Sequence, residues 1–340
     1  MVIAIGHDQR PGEWRLFDAD VVNVPIGQHA RGDIARVLAT VPQIARRGGR
    51  PDIVHGLWAT ITGLAAVAAA RRSRAPSVVS VCGGEMAWLA DIDYGGAGTR
   101  GGRLIARSAI GRASAVTVAT EWMRRHVIAS GGRVDELVPL GADLRRFSPG
   151  TAARHGHHDG HRLVHIGSLN RVKDQELLLR AAAIVMATAP SATLTVVGLD
   201  TMNGVHARLA VELGIDDRVT FTGLVDHSRL APLLDGAALH LVTSRHEAGP
   251  VAVLEAAACA VPTIGTSVGH VADLAALDRP AAVAIDRPQP AALAAAIGAV
   301  LGDDAQRNSL AERALVWSRT HDAEHTARSF ELLYRRLVRR

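Results

Sequence analysis

The segment Ser244–Glu255, which reads Ser-Arg-His-Glu-Ala-Gly-Pro-Val-Ala-Val-Leu-Glu, carries residue types suited to binding an anion. A strand pattern ends near Thr243, and Pro250 stands where a helical pattern begins, since its fixed φ suits a helix start. The free N–H groups of a helix start and the helix dipole attract negative charge. Gly249 allows a ligand to approach the backbone closely. The pattern predicts a diphosphate site at Gly249, Pro250 and Val251.

Two carboxylates, Glu247 and Glu255, are spaced eight positions apart in the same segment. Glu255 falls about one and a half turns into the predicted helix, where a carboxylate can accept hydrogen bonds from vicinal hydroxyls, as in dinucleotide-binding folds. Glu247 lies in the turn and faces whatever extends beyond the phosphates. Each acid alone is an ordinary loop or helix-face residue, but together with the Gly-Pro helix start they favour a ligand site.

A second element of interest, Ile166–Asp174, directly follows another strand pattern. Lys173 in this element is the only lysine among the 38 Lys and Arg residues of the chain. Its compact ammonium is not interchangeable with a planar guanidinium. Lys173 is either a binding residue of this loop or an ordinary lysine at a helix start.

Composition limits the class of protein that these residues belong to. The chain has 340 residues, 48% of them hydrophobic, with two cysteines and a formal net charge of +5. This length suits about two domains, and two cysteines exclude a disulfide scaffold. The arginines are spread along the chain, which argues against a nucleic-acid-binding stripe. No signal peptide or apolar run of membrane-spanning length is present. We expect a cytoplasmic protein, with Arg335-Arg336 and Arg339-Arg340 as candidates for contact with anionic lipid at the inner membrane face.

Short apolar strand patterns alternate with helical patterns along the chain, which predicts an α/β fold with parallel sheets. Because the alternation restarts after a polar, His-rich stretch, we expect two Rossmann-like domains facing a central cleft. The predicted parts are an N-terminal domain at 1–150, a linker at 151–161, a C-terminal domain at 162–322 and a final helix at 323–340. A flexible linker is one interpretation of the His-rich stretch, and adventitious metal binding is the alternative. Predicted strands of the second domain are Leu163–Ile166, Thr193–Val197, Val219–Phe221, Leu239–Val242, Thr263–Ile264 and Ala282–Ile285, and the first domain has a predicted helix at Ile34–Arg46.

The pair Glu247 and Glu255, followed by Glu-Ala-Ala-Ala-Cys-Ala-Val-Pro and Gly-Thr-Ser-Val-Gly, resembles the donor signature of GT-B glycosyltransferases of the family 4 type. The resemblance covers nearly the whole chain. The other segments that resemble the family are Pro51–His55, Ala113–Thr120, Val138–Asp143, Phe147–Pro149 and Phe221–Gly223.

This resemblance implies a retaining transferase that moves a sugar from a nucleotide diphosphate sugar to an acceptor hydroxyl. It assigns Glu247 to the donor sugar, Glu255 to the ribose, and Lys173 with Arg171 to the diphosphate. Gly167 and Ser168, in the same loop as Lys173, are further candidate donor contacts. The resemblance implies no metal and no cofactor besides the donor substrate. Ser168 departs from the pattern, because the family has an arginine there.

On the acceptor side, the Gly83-Gly84 turn follows a predicted strand, at the edge where ligands bind to open α/β sheets. Glu85 and His55 are candidate acceptor contacts, and loop solvation or strand capping is the alternative. Cys82 stands where many relatives have a histidine, which is a second departure from the pattern.

Relatives begin with a strand, a glycine-rich loop and a helix before the strand that Met1–Asp8 resembles. One hypothesis is that this chain begins one βα unit late; the other is that Met1–Ile5 is the first strand of a shortened lobe. Two other functions also stay open, namely a nucleotide-sugar epimerase or phosphorylase of the same fold, and a catalytically weak nucleotide-sugar-binding protein. The donor base, the sugar and the acceptor have no readable code in the sequence.

Overall fold

The computed structural model describes residues 51–150 and 161–339, and the backbone of three strands within residues 2–24. The predicted helix at 34–46 and all of the predicted linker except His161 lie outside the described residues. The chain divides into two compact units. The first comprises Met1–Val118, Arg124–Leu137 and Phe330–Arg340, and the second comprises Ala119–Met123 and Val138–Ser329. Each unit is a group of residues that contact one another, and each combines separate segments of the chain.

The first unit contains two sheets. Strands β1 (Val2–Ile5), β2 (Gly12–Leu16) and β3 (Ala19–Val24) form a three-stranded sheet in the order β1-β3-β2, with β1 parallel and β2 antiparallel to β3. The second sheet is parallel throughout and follows chain order. Its strands are β4 (Val54–Leu57), β5 (Ser77–Ser80), β6 (Ala115–Val118) and β7 (Glu136–Leu137).

Helices α1 (Ile61–Ser73), α2 (Arg100–Arg112) and α3 (Glu121–Ala129) follow β4, β5 and β6. The small residues of α1 allow it to pack closely on the four-stranded sheet. A Cβ at Gly63 would lie 2.6 Å from the carbonyl oxygen of Trp58 and 3.2 Å from Val79. Helix α2 begins at Thr99, whose side chain accepts a hydrogen bond from the N–H of Gly102.

The second unit contains one six-stranded parallel sheet. Its spatial order, β10-β9-β8-β11-β12-β13, is the doubly wound Rossmann order 3-2-1-4-5-6. In this topology the chain leaves the adjacent strands β8 and β11 in opposite directions, so the loops that follow them diverge and leave a crevice. The strands are β8 (Arg162–Ile166), β9 (Thr193–Val197), β10 (Val219–Gly223), β11 (Leu239–Val242), β12 (Thr263–Thr266) and β13 (Ala282–Ile285).

Apolar side chains cover this sheet on both faces, because successive residues of a strand point to opposite sides. In β8, Leu163 belongs to a core cluster with Leu178 and Leu241, whereas its neighbour Val164 belongs to another cluster with Leu254. The covering helices are α4 (Gln175–Thr188), α5 (Val205–Glu212), α6 (Leu230–Leu234), α7 (Val251–Ala258), α8 (Gly269–Ala275), α9 (Pro290–Leu301) and α10 (Asp304–Thr320).

The final helix, α11 (Ala323–Val338), begins at the predicted residue. Its last turns belong to the first unit, where Leu333 packs against Val78 and Ala115. Arg335 and Arg336, two of the candidate lipid contacts, form ion pairs with Glu331 and Glu136. Within the described ranges, none of the helices combines the length and the apolar character that a bilayer crossing requires.

Candidate active site

The crevice between β8 and β11 brings together the two loops that the sequence singles out. Lys173 lies in the loop after β8 and Glu247 in the loop after β11, 74 positions later. The Lys173 ammonium contacts Oε1 of the Glu247 carboxylate and forms an ion pair with it. The hydroxyl of Ser244 donates a hydrogen bond of 2.7 Å to the same oxygen. The Glu247 carboxylate therefore has two donors that converge on one atom.

The two loops are also joined through their backbones. The hydroxyl of Thr243 donates to the carbonyl of Lys173 at 2.8 Å, and the N–H of Arg245 donates to the carbonyl of Val172 at 2.8 Å. These bonds fix the backbone from which the ammonium projects. The Lys173 side chain is 24% exposed and that of Glu247 is 14% exposed, so both charges are largely shielded from water.

A small pocket of about 80 Å³ lies at this ion pair. Its wall includes Pro250 and Val251, where α7 begins. No side chain of the described residues caps α7, so its first N–H groups are available to an anion. Pro250 is the N-cap residue of this helix, directly before its first residue, Val251. The lining residues are His165, Ile166, Lys173, Val242, Ser244, Glu247, Pro250, Val251 and Ala252.

Two glycines allow α8 to pack against the turn that carries Glu247. A Cβ at Gly269, where φ is +49°, would lie 2.8 Å from Cδ of Pro250 and 3.0 Å from the carbonyl oxygen of Glu247. A Cβ at Gly249 would lie 2.9 Å from Cβ of Ala119 and 3.4 Å from Nε2 of His270. Packing therefore requires a glycine at 249, and its predicted close approach to a ligand stays a prediction.

Glu255 does not line this pocket. It is the fifth residue of α7 and only 5% exposed, and its Oε1 lies 2.7 Å from Nε2 of the half-exposed His227. The His227 ring makes an edge-on contact with Phe147, with ring centroids 5.2 Å apart. The predicted contact of Glu255 with a ribose stays a prediction, and the structure adds His227 as the side chain that covers this carboxylate.

The other predicted phosphate contacts lie around the Lys173 side chain. A Cβ at Gly167 would lie 3.6 Å from both Cδ and Cε of Lys173, so the lysine stem passes over this glycine. Ser168 and Arg171 are exposed and are not among the residues that line the pocket. The structure therefore places Lys173 and Glu247 together and leaves Ser168 and Arg171 at the margin.

Sequence reasoning missed Ser244, His165 and Gln175. His165 lines the pocket from inside β8 and is 1% exposed, and burial lowers its pKa to about 4. Gln175, the first residue of α4, is fully buried. A histidine inside the otherwise apolar run of β8 was the signal that could have found them. A buried polar side chain needs hydrogen-bond partners, so His165 predicts a polar residue beside it.

In the first unit, Glu85 joins two loops at the carboxyl ends of β4 and β5. Its Oε1 accepts hydrogen bonds from the N–H groups of Ala59 and Cys82, both at 3.1 Å, and its Oε2 accepts one from Gly83 at 2.7 Å. The side chain is buried, and burial raises its pKa. A Cβ at Gly84 would lie 2.7 Å from the ring of Tyr94. The predicted acceptor contacts Gly83, Gly84 and Glu85 thus share one compact turn.

His55 lies in β4 and has a partner on each ring nitrogen. Nδ1 lies 2.6 Å from the hydroxyl of Tyr334 on α11, and Nε2 lies 2.7 Å from the hydroxyl of Ser80 on β5. Burial lowers the pKa of His55 to about 4, so the ring is neutral near pH 7. These contacts join α11 to the sheet. A role for His55 in acceptor binding stays a prediction.

Two family models match successive parts of the chain. The glycosyl transferase 4-like domain matches residues 1–143, and the glycosyl transferases group 1 family matches residues 152–317. D-inositol 3-phosphate glycosyltransferase of Nocardiopsis dassonvillei is 31% identical over 297 residues, which cover 80% of this chain and 68% of the relative. The enzyme of the same name from Geodermatophilus obscurus is 35% identical over 216 residues, which cover 58% of this chain. The matched part is only 48% of that relative, so the chain spans about half its length.

Solved structures show the same fold at low sequence identity. Sucrose-phosphate synthase from Thermosynechococcus elongatus superposes with a TM-score of 0.81 over 98% of this chain and 87% of its own, at 18% identity. Anabaena HepE in complex with UDP and glucose superposes with a TM-score of 0.72 over 92% of this chain and 85% of its own, also at 18% identity. With the GT-B arrangement of two Rossmann-like domains, the chain belongs to the family of glycosyl transferases group 1, the family 4-like group.

Proposed function

We propose that this chain is a retaining glycosyltransferase that moves a sugar from a nucleotide diphosphate sugar to an acceptor hydroxyl. The observation that carries the proposal is the ion pair of Lys173 and Glu247, which lies at the crevice of a Rossmann sheet beside the uncapped start of α7. This arrangement offers a cation and free N–H groups to a diphosphate, and a carboxylate to the hydroxyls of the attached sugar.

Negative charge grows on the diphosphate as the bond between the anomeric carbon and the phosphate oxygen breaks. A fixed ammonium and a helix start in a shielded pocket stabilise that charge more strongly than water does. Lys173 would thereby exchange part of its contact with Glu247 for a phosphate oxygen, which frees the carboxylate for the sugar hydroxyls. The acceptor oxygen bonds to the same face of the anomeric carbon, and its proton passes to the leaving phosphate.

The comparisons indicate which substrates to test first. HepE holds UDP and glucose, and the relatives in Nocardiopsis and Geodermatophilus are named for D-inositol 3-phosphate. We propose a uridine diphosphate sugar as the donor. A phosphorylated cyclitol is the first acceptor to test.

A thermal-shift panel of UDP, GDP, ADP and their sugars tests donor binding, because a ligand that binds only the folded state raises the melting temperature. Transfer is then measured with the donor that binds, and the anomeric configuration of the product is determined by NMR. Lys173→Ala and Glu247→Ala should each abolish transfer while the protein stays folded. Full turnover in either variant, or a product with inverted configuration, would contradict the proposal.

A catalytically weak nucleotide-sugar-binding protein is the second candidate. It is favoured by Ser168, since a serine replaces the arginine that the family resemblance leads one to expect and lies outside the pocket lining. With one cation fewer, the leaving diphosphate is less stabilised. Binding of a nucleotide sugar without transfer to any acceptor of a broad panel would select this candidate.

A further inference from the structure

A buried chain of polar groups runs underneath the loop that carries Lys173. It begins at the carbonyl of Leu241 in β11, which lies 2.9 Å from Nδ1 of His165 in β8. A carbonyl oxygen can only accept a hydrogen bond, so Nδ1 must carry the proton. Because burial lowers the pKa of His165 to about 4, the ring is neutral near pH 7 and its Nε2 is a bare acceptor.

The amide of Gln175 uses that acceptor. Its Nε2 lies 3.2 Å from Nε2 of His165 and donates a second hydrogen bond of 3.1 Å to the carbonyl of Ser168. Its Oε1 accepts the N–H of Asn170 at 3.3 Å. The orientation of the amide follows from the tautomer of the imidazole, since only the NH₂ group can face a bare ring nitrogen. The carbonyl of Leu241 thus determines the direction of every bond in this chain of groups.

The same chain of groups continues to Lys173. The side-chain oxygen and the carbonyl oxygen of Asn170 each lie 3.1 Å from the N–H of Lys173. A Cβ at Gly167 would lie 3.5 Å from Nε2 of His165 and 3.6 Å from the lysine stem, so the imidazole and the stem flank the same glycine. The position of the ammonium therefore depends on groups that are themselves held by His165 and Gln175.

We propose that His165 and Gln175 are positioning residues that hold loop 168–173, and with it the Lys173 ammonium, in the conformation that binds a diphosphate. The effect on diphosphate binding rests on the proposed function, whereas the effect on the loop does not. Neither side chain needs to touch the ligand. Each acts through hydrogen bonds that hold the loop and its lysine in the binding conformation before the ligand arrives. The conformational entropy lost on binding is then smaller.

A histidine on the neighbouring strand provides a matched control. His240 in β11 is as buried as His165, and burial lowers its pKa to about 3. Its Nδ1 lies 3.1 Å from the hydroxyl of Thr263 on β12, and among the described residues its Nε2 has no hydrogen-bond partner. Because it bonds away from the loop, His240→Leu removes a buried imidazole from the same sheet without removing the polar chain under Lys173.

The first measurement is amide hydrogen exchange in the free protein. Gln175→Leu and His165→Leu should speed exchange at the N–H groups of Asn170 and Lys173, whereas His240→Leu should leave them protected. The second measurement is calorimetric binding of UDP. The two loop variants should weaken UDP binding about tenfold, which corresponds to ~1.4 kcal/mol, and His240→Leu should change it less than about twofold.

Two further substitutions separate positioning from simple packing. The amide of glutamine reaches about as far as Nε2 of a histidine and can still accept from Gln175, whereas the shorter asparagine reaches only the Nδ1 position. His165→Gln should therefore retain more loop protection and tighter UDP binding than His165→Asn. Equal behaviour of these two variants, or unchanged loop exchange in Gln175→Leu, would overturn the proposal. If UDP does not bind the unmodified protein, the choice of donor fails, while the exchange data still decide the positioning role.

Discussion

Lys173 forms an ion pair with Glu247 across the two loops that leave β8 and β11, and the ammonium shares its carboxylate oxygen with the hydroxyl of Ser244. The pair places a cation and an anion at one wall of the same pocket. A compact ammonium and a planar guanidinium make different contacts in such a pair, although both carry one positive charge.

Lys173→Arg should therefore lower kcat/KM for transfer by about tenfold or more, because the planar guanidinium cannot occupy the same position between Glu247 and a phosphate. The reverse exchange at an exposed pair, Arg180→Lys on α4, is the matched control, since Arg180 pairs with Glu176 on the helix surface. It should leave transfer unchanged. Steady-state kinetics with the donor identified by the thermal-shift panel provide the measurement, and full activity in Lys173→Arg would show that any cation suffices.

Gly269→Ala should destabilise the fold and also reduce transfer. The new Cβ would lie 2.8 Å from Pro250 and 3.0 Å from the carbonyl oxygen of Glu247, on a backbone with a positive φ. Gly214→Ala is the control, because φ is +66° there and no atom lies within 4 Å of the new Cβ. The control should cost about 1–2 kcal/mol from the backbone alone. Urea denaturation should show a larger loss for Gly269→Ala, and only that variant should lose activity.

The free energy of unfolding should fall as the pH falls from about 7 to about 5. Burial lowers the pKa of His165 to about 4 and the pKa values of His240 and His270 to about 3. An unfolded histidine titrates near 6.5, so between these values the unfolded chain binds more protons than the folded one. The stability present above the unfolded pKa is therefore lost on acidification.

Burial shifts the carboxyl pKa values of Glu85 and Asp174 upward, so these two groups act in the opposite direction. They stand against four histidines, because burial lowers the pKa of His55 to about 4 as well. Urea titrations at several pH values measure the dependence. His270→Phe should flatten it, since that variant has one fewer imidazole to protonate. A midpoint that stays constant or rises toward pH 5 would contradict the expectation.

Glu85→Ala should destabilise the first unit by about 2–5 kcal/mol, because the N–H groups of Ala59, Cys82 and Gly83 would lose a common buried acceptor. Glu85→Gln should cost less, since the amide oxygen can still accept. Glu176→Ala is the control, because its side chain is 61% exposed and its surface ion pair contributes little. In chemical denaturation, the loss of unfolding free energy should be largest for Glu85→Ala, smaller for Glu85→Gln and smallest for Glu176→Ala. If Glu85→Ala were as stable as Glu176→Ala, Glu85 would have no structural role.

Much of the fold was predictable because short buried strands and amphipathic helices leave local patterns. The strands Thr193–Val197, Leu239–Val242 and Ala282–Ile285 have the predicted bounds, and the final helix begins at the predicted residue. Strands β2 and β3 were missed, as were helices α8 and α10. Helix α8 has only seven residues and begins at a glycine with positive φ, so it leaves little periodic signal. Polar and charged residues are frequent in α10, which weakens the apolar stripe that identifies a helix.

By itself, the sequence determined the family, the α/β class and the choice of Lys173 and Glu247 as candidate site residues. It could do so because the spacing of residues within one strand–loop–helix segment is a local property. Only the tertiary structure decided that Lys173 meets Glu247, that His227 covers Glu255, and that His165 and Gln175 lie under loop 168–173. These contacts depend on strand order, and the adjacency of β8 and β11 across more than seventy residues leaves no mark in either segment alone. The order itself follows from how the helices cover the two faces of the sheet, which is a property of the whole chain.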